Sequence, residues 1–330
     1  CIRDRVIMSQ ILSFENVTLK FGGITALNSV SFEVNPGELY AIIGPNGAGK
    51  TSIFNCISGI YRPTEGGVTY GSTSIQELRP DQVANLGIAR TFQNIELFEN
   101  MTVIDNILFG AHRQLEYGAI SSLFYTKKVR KYEREAREIA EDIIDFLEIE
   151  QYRYSYILSL PYGVQKRVEL GRALAMNPDI VLLDEPAAGM NNEETEDIAR
   201  FIIDIHEEMK KTVILVDHDM NMVMDIAEEV MVLKYGEKLA EGKPEEIVKD
   251  SKVIEAYLGK DNEPIEWEPS VLMIYSNQLR SAFLDIPFII LAIASIPFIW
   301  RWKIILISVK NLLVFPSNEV EDINNILEGN

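Results

Sequence analysis

The sequence predicts an α/β fold in which a parallel sheet is preceded by an antiparallel β-segment and interrupted by a group of helices. Two apolar runs, residues 39–43 and 180–184, predict the sheet, because such runs are typical of strands buried on both faces. Between them, residues 102–116 and 129–148 carry apolar side chains at helical spacing, which predicts the inserted helices.

Composition and charge limit the classes of protein and of binding partner that this sequence permits. A hydrophobic content of 47% beside 25% charged residues in 330 residues is ordinary for a globular protein with a large core. The net charge of −19 argues against nucleic acid as a partner, since a duplex repels an acidic surface. The basic residues within 127–137 alternate with glutamates, which favours a solvent-facing helix with ion pairs one turn apart; contact with a membrane partner or lipid headgroups is the alternative.

Cys1 and Cys56 imply no disulfide framework and fit a reducing compartment.

Three parts of the chain are expected. Residues 1–10 are expected to be a non-native or disordered lead. Residues 11–259 form the main folded unit, with a helical subdomain at about 88–175. Residues 260–330 form an atypical hydrophobic tail, whose apolar run at 286–300 contains prolines and is too short to span a bilayer. We interpret this tail as read-through or a frame error; a membrane anchor and an element packed on the folded unit are the alternatives.

The first folded segment predicts a β-hairpin. Residues 11–21 and 26–34 alternate apolar and polar positions on either side of Gly22-Gly23, which predicts two antiparallel strands and a turn. Phe21 ends the first strand. An isolated aromatic residue is more often part of a core than a platform for a planar base, so this pattern alone leaves its role open.

The stretch Leu39–Ser52, LYAIIGPNGAGKTS, contains the P-loop pattern G-x-x-x-x-G-K-T directly after an apolar strand. Glycines let backbone N–H groups turn toward one point, and the following helix directs its positive end to the same point, so the loop is expected to bind phosphate. Lys50 is expected to reach the β and γ phosphates and Thr51 to ligate Mg²⁺. The residues assigned to nucleotide binding here are Gly44, Asn46, Gly47, Ala48, Gly49, Lys50, Thr51 and Ser52.

Carboxylates end the second apolar run. Asp184 at the carboxyl end of a parallel strand can hold Mg²⁺, and Glu185, on the other face of that strand, can polarise a water. The next apolar run leads to His218, and strand ends at this edge of a sheet surround the phosphate. His218 is therefore a candidate for contact with the γ-phosphate.

Two later segments predict helices. Asn191 and Glu194 have the spacing of a capping pair for a helix that reaches Met209. After two short strands, a helix is expected from Pro244 to Leu258.

The order of these motifs resembles that of ATP-binding subunits of ABC transporters, over about residues 11–259. The resemblance implies a P-loop NTPase core (ABC ATPase) with an antiparallel β subdomain and an inserted α-helical subdomain. It identifies Phe21 as an adenine-stacking residue, Gln93 as the Q-loop residue and Asn191 as the D-loop residue. The catalytic residues it implies are Glu185, His218 and Gln93, and the Mg²⁺ ligands are Thr51, Gln93 and Asp184.

The signature motif of that family, L-S-G-G-Q, is altered here. It reads Leu160, Pro161, Tyr162, Gly163 and Val164, followed by Gln165. In the family the Ser hydroxyl contacts the γ-phosphate bound to the opposite subunit, whereas Pro161 has neither a hydroxyl nor an N–H. That contact is expected to be absent, which leaves the Gly163 N–H and a helix from about Val164 to Met176 to attract the anion. Asn191 replaces the Asp common in the D-loop, which removes a charge from contacts between subunits.

Two sequence segments, GIARTFQNIELFENMTVIDNI and LLDEPAAGMN, are most similar to those of the ATPase of branched-chain amino-acid importers. The resemblance implies ATP and Mg²⁺ as bound groups and a second ATPase subunit, identical or homologous, as partner. It further implies two membrane permease subunits, a periplasmic or extracellular binding protein that acts indirectly, and a peripheral position on the cytoplasmic face of the plasma membrane. The ATPases of urea or amide importers and of lipopolysaccharide exporters are alternatives. A soluble ABC ATPase without a transport role is a second alternative, which the single cassette and the acidity disfavour.

Overall fold

The computed structural model describes residues 11–91, 95–111 and 127–258. The predictions made for residues 1–10, for Gln93 and for residues 260–330 therefore lie outside the described residues.

The described residues form the following strands and α-helices. The strands are β1 (Leu12–Phe21), β2 (Ile24–Val34), β3 (Leu39–Ile43), β4 (Glu65–Tyr70), β5 (Thr73–Ser74), β6 (Ile88–Arg90), β7 (Ile180–Asp184), β8 (Thr212–Val216), β9 (Glu229–Lys234) and β10 (Glu237–Gly242). The helices are α1 (Lys50–Ile57), α2 (Pro80–Leu86), α3 (Val103–Ala111), α4 (Lys127–Phe146), α5 (Tyr162–Leu174), α6 (Asn192–Glu207), α7 (Met220–Ile226), α8 (Pro244–Ile247) and α9 (Ser251–Leu258). None of these described helices combines the length and the apolar character needed to cross a bilayer.

The antiparallel sheet has the strand order β2-β1-β4-β5. Leu12 pairs with Val34 and Phe21 pairs with Ile24, so β1 and β2 form a hairpin that turns at the two glycines between them. This confirms the predicted hairpin and places Phe21 at its end.

The second sheet has the order β10-β9-β3-β8-β7-β6, in which only the pairing of β10 with β9 is antiparallel among the described strands. The carboxyl ends of β3, β8 and β7 therefore lie side by side at one edge of the sheet. This order puts the P-loop, His218 and the two carboxylates, which are far apart in sequence, at the same edge.

Successive side chains of the central strands enter different cores. Leu39, Ala41 and Ile43 pack in the cluster that contains the helices of the insertion, whereas Tyr40 and Ile42 pack in the cluster shared with the antiparallel sheet and α1. This is the period-two alternation of a strand buried on both faces. The parallel sheet is thus fixed from both sides, which gives the loops at its edge a rigid base.

The inserted helices differ from the expected range at their start. β6 pairs with β7 as the edge strand of the parallel sheet, so the helical segment follows Arg90 instead of beginning at residue 88. On α4, Lys131 pairs with Glu135 at 3.5 Å and Arg137 with Glu141 at 3.8 Å, both one turn apart. The predicted ion-paired helix surface is therefore present.

Two helix boundaries depart from the sequence predictions. The helix expected at about Val164–Met176 is α5, and it starts two residues earlier because Pro161 occupies the N-cap and its carbonyl already accepts from the Gln165 N–H at 3.1 Å. The single helix expected at 244–258 is two helices, α8 and α9. Asp250 separates them, because its Oδ1 accepts from the Lys252 N–H at 2.7 Å and so caps a new helix.

Candidate nucleotide-binding site

The P-loop joins β3 to α1, and two of its glycines, Gly44 and Gly49, lie where no side chain fits. A Cβ at Gly44 would lie 2.2 Å from the Leu233 carbonyl oxygen of β9. Gly49 is the N-cap of α1 in the left-handed conformation (φ 109°), and a Cβ there would lie 2.8 Å from the Ala26 carbonyl oxygen of β2. The loop therefore packs against both sheets, and its backbone can do so only because these two residues have no Cβ.

Lys50 begins α1 and reaches back across the loop. Its Nζ donates to the Gly44 carbonyl at 2.5 Å and to the Pro45 carbonyl at 3.3 Å. Burial lowers the pKa of Lys50, while the negative charges of Glu185, Asp184 and, to a smaller extent, Asp217 oppose that change. The buried Lys50 ammonium therefore lies among three carboxylates. Such a site favours an anion that is accompanied by a cation, because the cation offsets the repulsion between the anion and the carboxylates.

The other predicted P-loop residues fall into two groups. Asn46, Gly47 and Thr51 are exposed at the surface, and Ser52 is half-buried in the first turn of α1, where helix N–H groups have no intrahelical acceptor. Ala48 differs, because its side chain is buried and its N–H donates to the Pro45 carbonyl at 3.0 Å. Ala48 therefore shapes the loop, and its N–H is engaged within the loop.

Asp184 ends β7 and is 2% exposed. Its Oδ2 accepts from Arg90 Nη2 at 2.7 Å. Burial raises the pKa of Asp184, and the hydrogen bond and charge of Arg90 oppose the rise.

The donor set fits Mg²⁺. Thr51 offers a hydroxyl and Asp184 a carboxylate, and Mg²⁺ in nucleotide sites is held by one or two such groups together with phosphate oxygens and water. Among the described residues, no group of three or more acidic, histidine or cysteine side chains is placed to hold a metal by itself.

Glu185 follows directly after β7 with a backbone φ of 50°, a conformation that residues other than glycine seldom adopt. Its N–H donates to the Val216 carbonyl of β8 at 2.7 Å. Strand alternation was expected to direct the Glu185 side chain. The strand ends at Asp184, however, and Glu185 has a left-handed backbone, so the alternation of a strand does not apply to it. Uncommon backbone conformations held by neighbouring structure are typical of functional sites.

His218 lies beyond the end of β8, and its side chain is 63% exposed. The strand stops at Val216 because Asp217 turns the chain: its buried Oδ1 accepts from the N–H groups of His218 at 2.7 Å and Asp219 at 2.9 Å. His218 Nδ1 lies 3.6 Å from the same oxygen. Burial raises the pKa of Asp217, opposed by those backbone hydrogen bonds. Asp217 was not predicted from the sequence. Its position directly before the candidate histidine was the one signal that pointed to it.

Phe21 is 46% exposed at the end of the β1–β2 hairpin. Its ring meets Tyr61 edge to face, with centroids 5.0 Å apart and planes at 72°. Phe21 is therefore a surface aromatic residue and not part of the core, as a stacking platform requires. Tyr61 was not predicted, since a lone aromatic after a helix carries no signal of its own.

The signature segment packs against the start of α6 in the same chain. Leu160 is buried and accepts from Gln165 Nε2 at 2.9 Å, and Pro161 gives α5 no side-chain cap. Gly163 is buried, and a Cβ there would lie 2.4 Å from Glu194 Oε1. The start of α5 therefore depends on the position of Glu194 at the start of α6.

Asn191 caps α6. Its Oδ1 accepts from the Glu194 N–H at 3.0 Å, and Glu194 Oε2 accepts from the Asn191 N–H at 3.1 Å, which confirms the predicted capping pair. The helix ends at Glu207, two residues before the expected Met209. Asn191 therefore stabilises the start of α6. Glu194 contributes to the same cap and lies beside Gly163 of the signature.

This fold and this site define a nucleotide-binding protein of the P-loop NTPase class that carries an inserted helical subdomain. Residues 27–188 match the family model described as ABC transporter, and residues 237–263 match the model described as branched-chain amino acid ATP-binding cassette transporter. Together with the relatives given next, these matches show that the chain belongs to the ATP-binding subunits of ABC transporters.

The chain is 40% identical over 250 residues to the high-affinity branched-chain amino acid transport ATP-binding protein BraF of Pseudomonas aeruginosa, covering 76% of this chain and 98% of BraF. It is 40% identical over 254 residues to LivG of Salmonella typhimurium, covering 77% and 100%. A solved nucleotide-free ATP-binding cassette from an ABC transporter is 33% identical, with a TM-score of 0.66 and coverage of 76% and 100%. A dimeric cassette in a post-hydrolysis state bound to ADP and Pi is 29% identical, with a TM-score of 0.61 and coverage of 71% and 98%.

The predicted family and fold are therefore confirmed. The roles given to individual residues stay predictions, and the Q-loop residue Gln93 lies outside the described residues.

Proposed function

We propose that the chain hydrolyses ATP to power the import of branched-chain amino acids through a membrane permease. The observation that carries this proposal is the extent of the similarity: the relatives match nearly their whole length, and the branched-chain model matches residues 237–263, which lie outside the P-loop and the carboxylate strand. The proposed location is peripheral, on the cytoplasmic face of the plasma membrane.

In the proposed binding step, phosphate oxygens replace the Gly44 and Pro45 carbonyls as acceptors for Lys50. The ammonium then faces the β and γ phosphates, and the N–H groups at the start of α1 supply further donors. Phe21 stacks on the adenine. Thr51 and Asp184, with Gln93 as a further expected ligand, would hold Mg²⁺ beside the phosphates, and the ion would neutralise charge on the phosphate oxygens.

In the proposed hydrolytic step, the oxygen of a water molecule bonds to the γ-phosphorus while Glu185 accepts a proton from that water. The bond from that phosphorus to the bridging oxygen breaks, which gives ADP and phosphate. His218, presented by the turn at Asp217, contacts the γ-phosphate and helps hold the water in line. Glu185 supplies the base, and His218 and Lys50 supply the electrostatic environment.

The second half of the site comes from a partner ATPase subunit. The N-terminus of α5 has no side-chain cap, so its first-turn N–H groups are proposed to attract the anion bound to the partner; Gly163, whose N–H is expected to take part, is buried in the single chain. Pro161 contributes no hydroxyl to that contact. We infer that the ATP-bound dimer forms but is weaker than it would be with serine at this position.

The permease is proposed to bind an exposed apolar surface of the helical subdomain. This docking surface consists of residues that are each at least 41% exposed: Phe98, Met101, Phe109, Tyr156 and Leu158. Such a cluster is typical of an interaction site. Phe98 and Phe109 contact each other with ring centroids 4.8 Å apart.

The docking surface is joined to the signature helix. Asn106, buried in α3, accepts from the Phe98 N–H at 2.9 Å and donates to the Phe98 carbonyl at 3.1 Å. Arg172 of α5 donates to the Glu96 carbonyl in the same segment. Since this segment follows Gln93 closely in sequence, a change at the γ-phosphate can reach the permease through it.

Docking is tested with Phe109→Glu, using Tyr235→Glu as the matched control because Tyr235 is an exposed aromatic residue on the β9–β10 turn. Tagged permease subunits of a branched-chain amino-acid importer should retain the wild-type and the Tyr235 variant and lose the Phe109 variant. Equal retention of both variants would remove the docking surface from the proposal.

Cargo is tested with the complex of this chain, its permease subunits and its binding protein in liposomes. ATP hydrolysis should rise when the binding protein carries leucine, isoleucine or valine and should not rise with urea or short amides. Glu185→Gln serves as the inactive control. Stimulation by urea, amides or lipopolysaccharide would reassign the transporter, and stimulation by ribosomes or DNA without permease would favour the soluble alternative.

A further inference from the structure

Arg90, the last residue of β6, has a buried side chain that joins two parts of the nucleotide site. The side chain is 9% exposed and donates from Nη2 to Asp184 Oδ2 at 2.7 Å. From Nη1 it donates to Asn55 Oδ1 in α1 at 2.6 Å, and its guanidinium lies 5.4 Å from the centroid of the Phe54 ring. One cation thus holds the carboxylate strand and the P-loop helix together.

The geometry uses properties that only arginine has. A planar guanidinium presents two fixed donor directions and can stack on an aromatic ring, whereas lysine offers a single point charge. Burying such a charge is unfavourable unless its partners are well placed. The two short hydrogen bonds and the Phe54 contact supply those partners, so Arg90 restrains the orientation of the Asp184 carboxylate.

We propose that Arg90 is a positioning residue of the magnesium site: it holds the Asp184 carboxylate in the orientation that binds Mg²⁺ and ties it through Asn55 to the P-loop helix. Arg90 engages Oδ2 and so fixes the direction in which Oδ1 is offered to the ion. Partners that orient a metal ligand in this way commonly change metal affinity by about 10- to 100-fold when they are removed.

The proposal differs from two simpler accounts of the same ion pair. A purely structural pair would affect folding and leave metal affinity unchanged. A cation that merely competes with Mg²⁺ would, on removal, make metal binding tighter. Positioning predicts weaker metal binding, so the sign of the effect separates the three.

A second arginine pair supplies the matched control. Arg79 and Asp81 form a forked ion pair with contacts of 2.9 and 3.0 Å, but both side chains are more than half exposed, near α2. Arg79→Gln therefore removes the same kind of interaction outside the nucleotide site.

The test measures Mn²⁺ binding to the full chain with ATP by electron paramagnetic resonance, alongside ATP binding in EDTA by calorimetry. Arg90→Gln should weaken Mn²⁺ binding about tenfold and change metal-free ATP affinity by a much smaller factor. Asn55→Leu should give a smaller weakening in the same direction, since it loosens Arg90 without removing a charge. Arg79→Gln should change neither quantity.

Unchanged or tighter Mn²⁺ binding in Arg90→Gln overturns the proposal. If that variant does not fold, Asn55→Leu decides, and wild-type Mn²⁺ affinity in it overturns the proposal equally. The inference rests on the proposed nucleotide site, and a wild-type chain that binds neither ATP nor Mn²⁺ with ATP would instead refute that site.

Discussion

Replacing Glu185 by glycine is expected to leave the chain more stable than replacing it by alanine, although both changes remove the proposed catalytic base. Glu185 has φ 50°, and this left-handed conformation costs a residue with a Cβ about 1–2 kcal/mol. Glycine avoids that cost but gives the unfolded chain more entropy, which offsets about 0.4–1 kcal/mol. Taken at the midpoints of these ranges, the net advantage of glycine is about 0.8 kcal/mol in the free energy of unfolding.

The assay is thermal and urea unfolding of both variants. For a unit of this size, 1 kcal/mol corresponds to roughly 2–4 °C in Tm, so the glycine variant should melt about 1–4 °C higher. ATP hydrolysis should fall by about 10²- to 10⁴-fold in both variants, because both lack a general base.

Lys210 provides the control for the backbone effect. It has φ 53°, is exposed, and lies in the turn between α6 and β8. Lys210→Gly should exceed Lys210→Ala in stability by a similar amount while both retain hydrolysis. If the Lys210 pair differs as expected and the two Glu185 variants melt together, the backbone at Glu185 is not strained and the reasoning fails.

Three further predictions concern other parts of the site. Asn191→Ala should lower the free energy of unfolding by about 1 kcal/mol because it removes the α6 cap, whereas Asn191→Asp should keep the cap; urea unfolding checks both. Phe21→Ala should weaken ATP binding by about 1–3 kcal/mol through lost stacking while Phe21→Trp retains it, and equal calorimetric affinities for all three proteins would contradict the assignment. Pro161→Ser should tighten the ATP-dependent dimer in sedimentation experiments, and an unchanged dimerisation constant would show that the missing hydroxyl does not matter.

Much of the fold followed from local pattern. The alternation of residues 11–34 predicts a hairpin because one face of an antiparallel sheet is buried, and the apolar runs before the P-loop and at 180–184 predict strands because both faces are covered. The spacing of Asn191 and Glu194 predicts a cap because each side chain can reach the backbone N–H of the other. Such signals depend on contacts within a few residues.

The parts that could not be predicted depend on contacts between distant segments. The left-handed backbone of Glu185 is held by β8, and the turn at Asp217 depends on a buried carboxylate that looks unremarkable in sequence. Arg90 gains its role from Asp184 and Asn55, each at least 35 positions away in the chain. An arginine in a short apolar strand gives a weak hint at most, because the acceptor that makes it useful lies on another strand.

The central claim is that this chain forms half of a shared ATP site in which Glu185 is the base. Glu185→Gln preserves the size of the side chain and the backbone conformation and removes only its ability to accept the proton. With ATP and Mg²⁺, light scattering should show this variant accumulating as a dimer that retains unhydrolysed ATP, while the ADP-bound protein is monomeric. Wild-type rates of hydrolysis in Glu185→Gln, or a monomer saturated with ATP, would contradict the account.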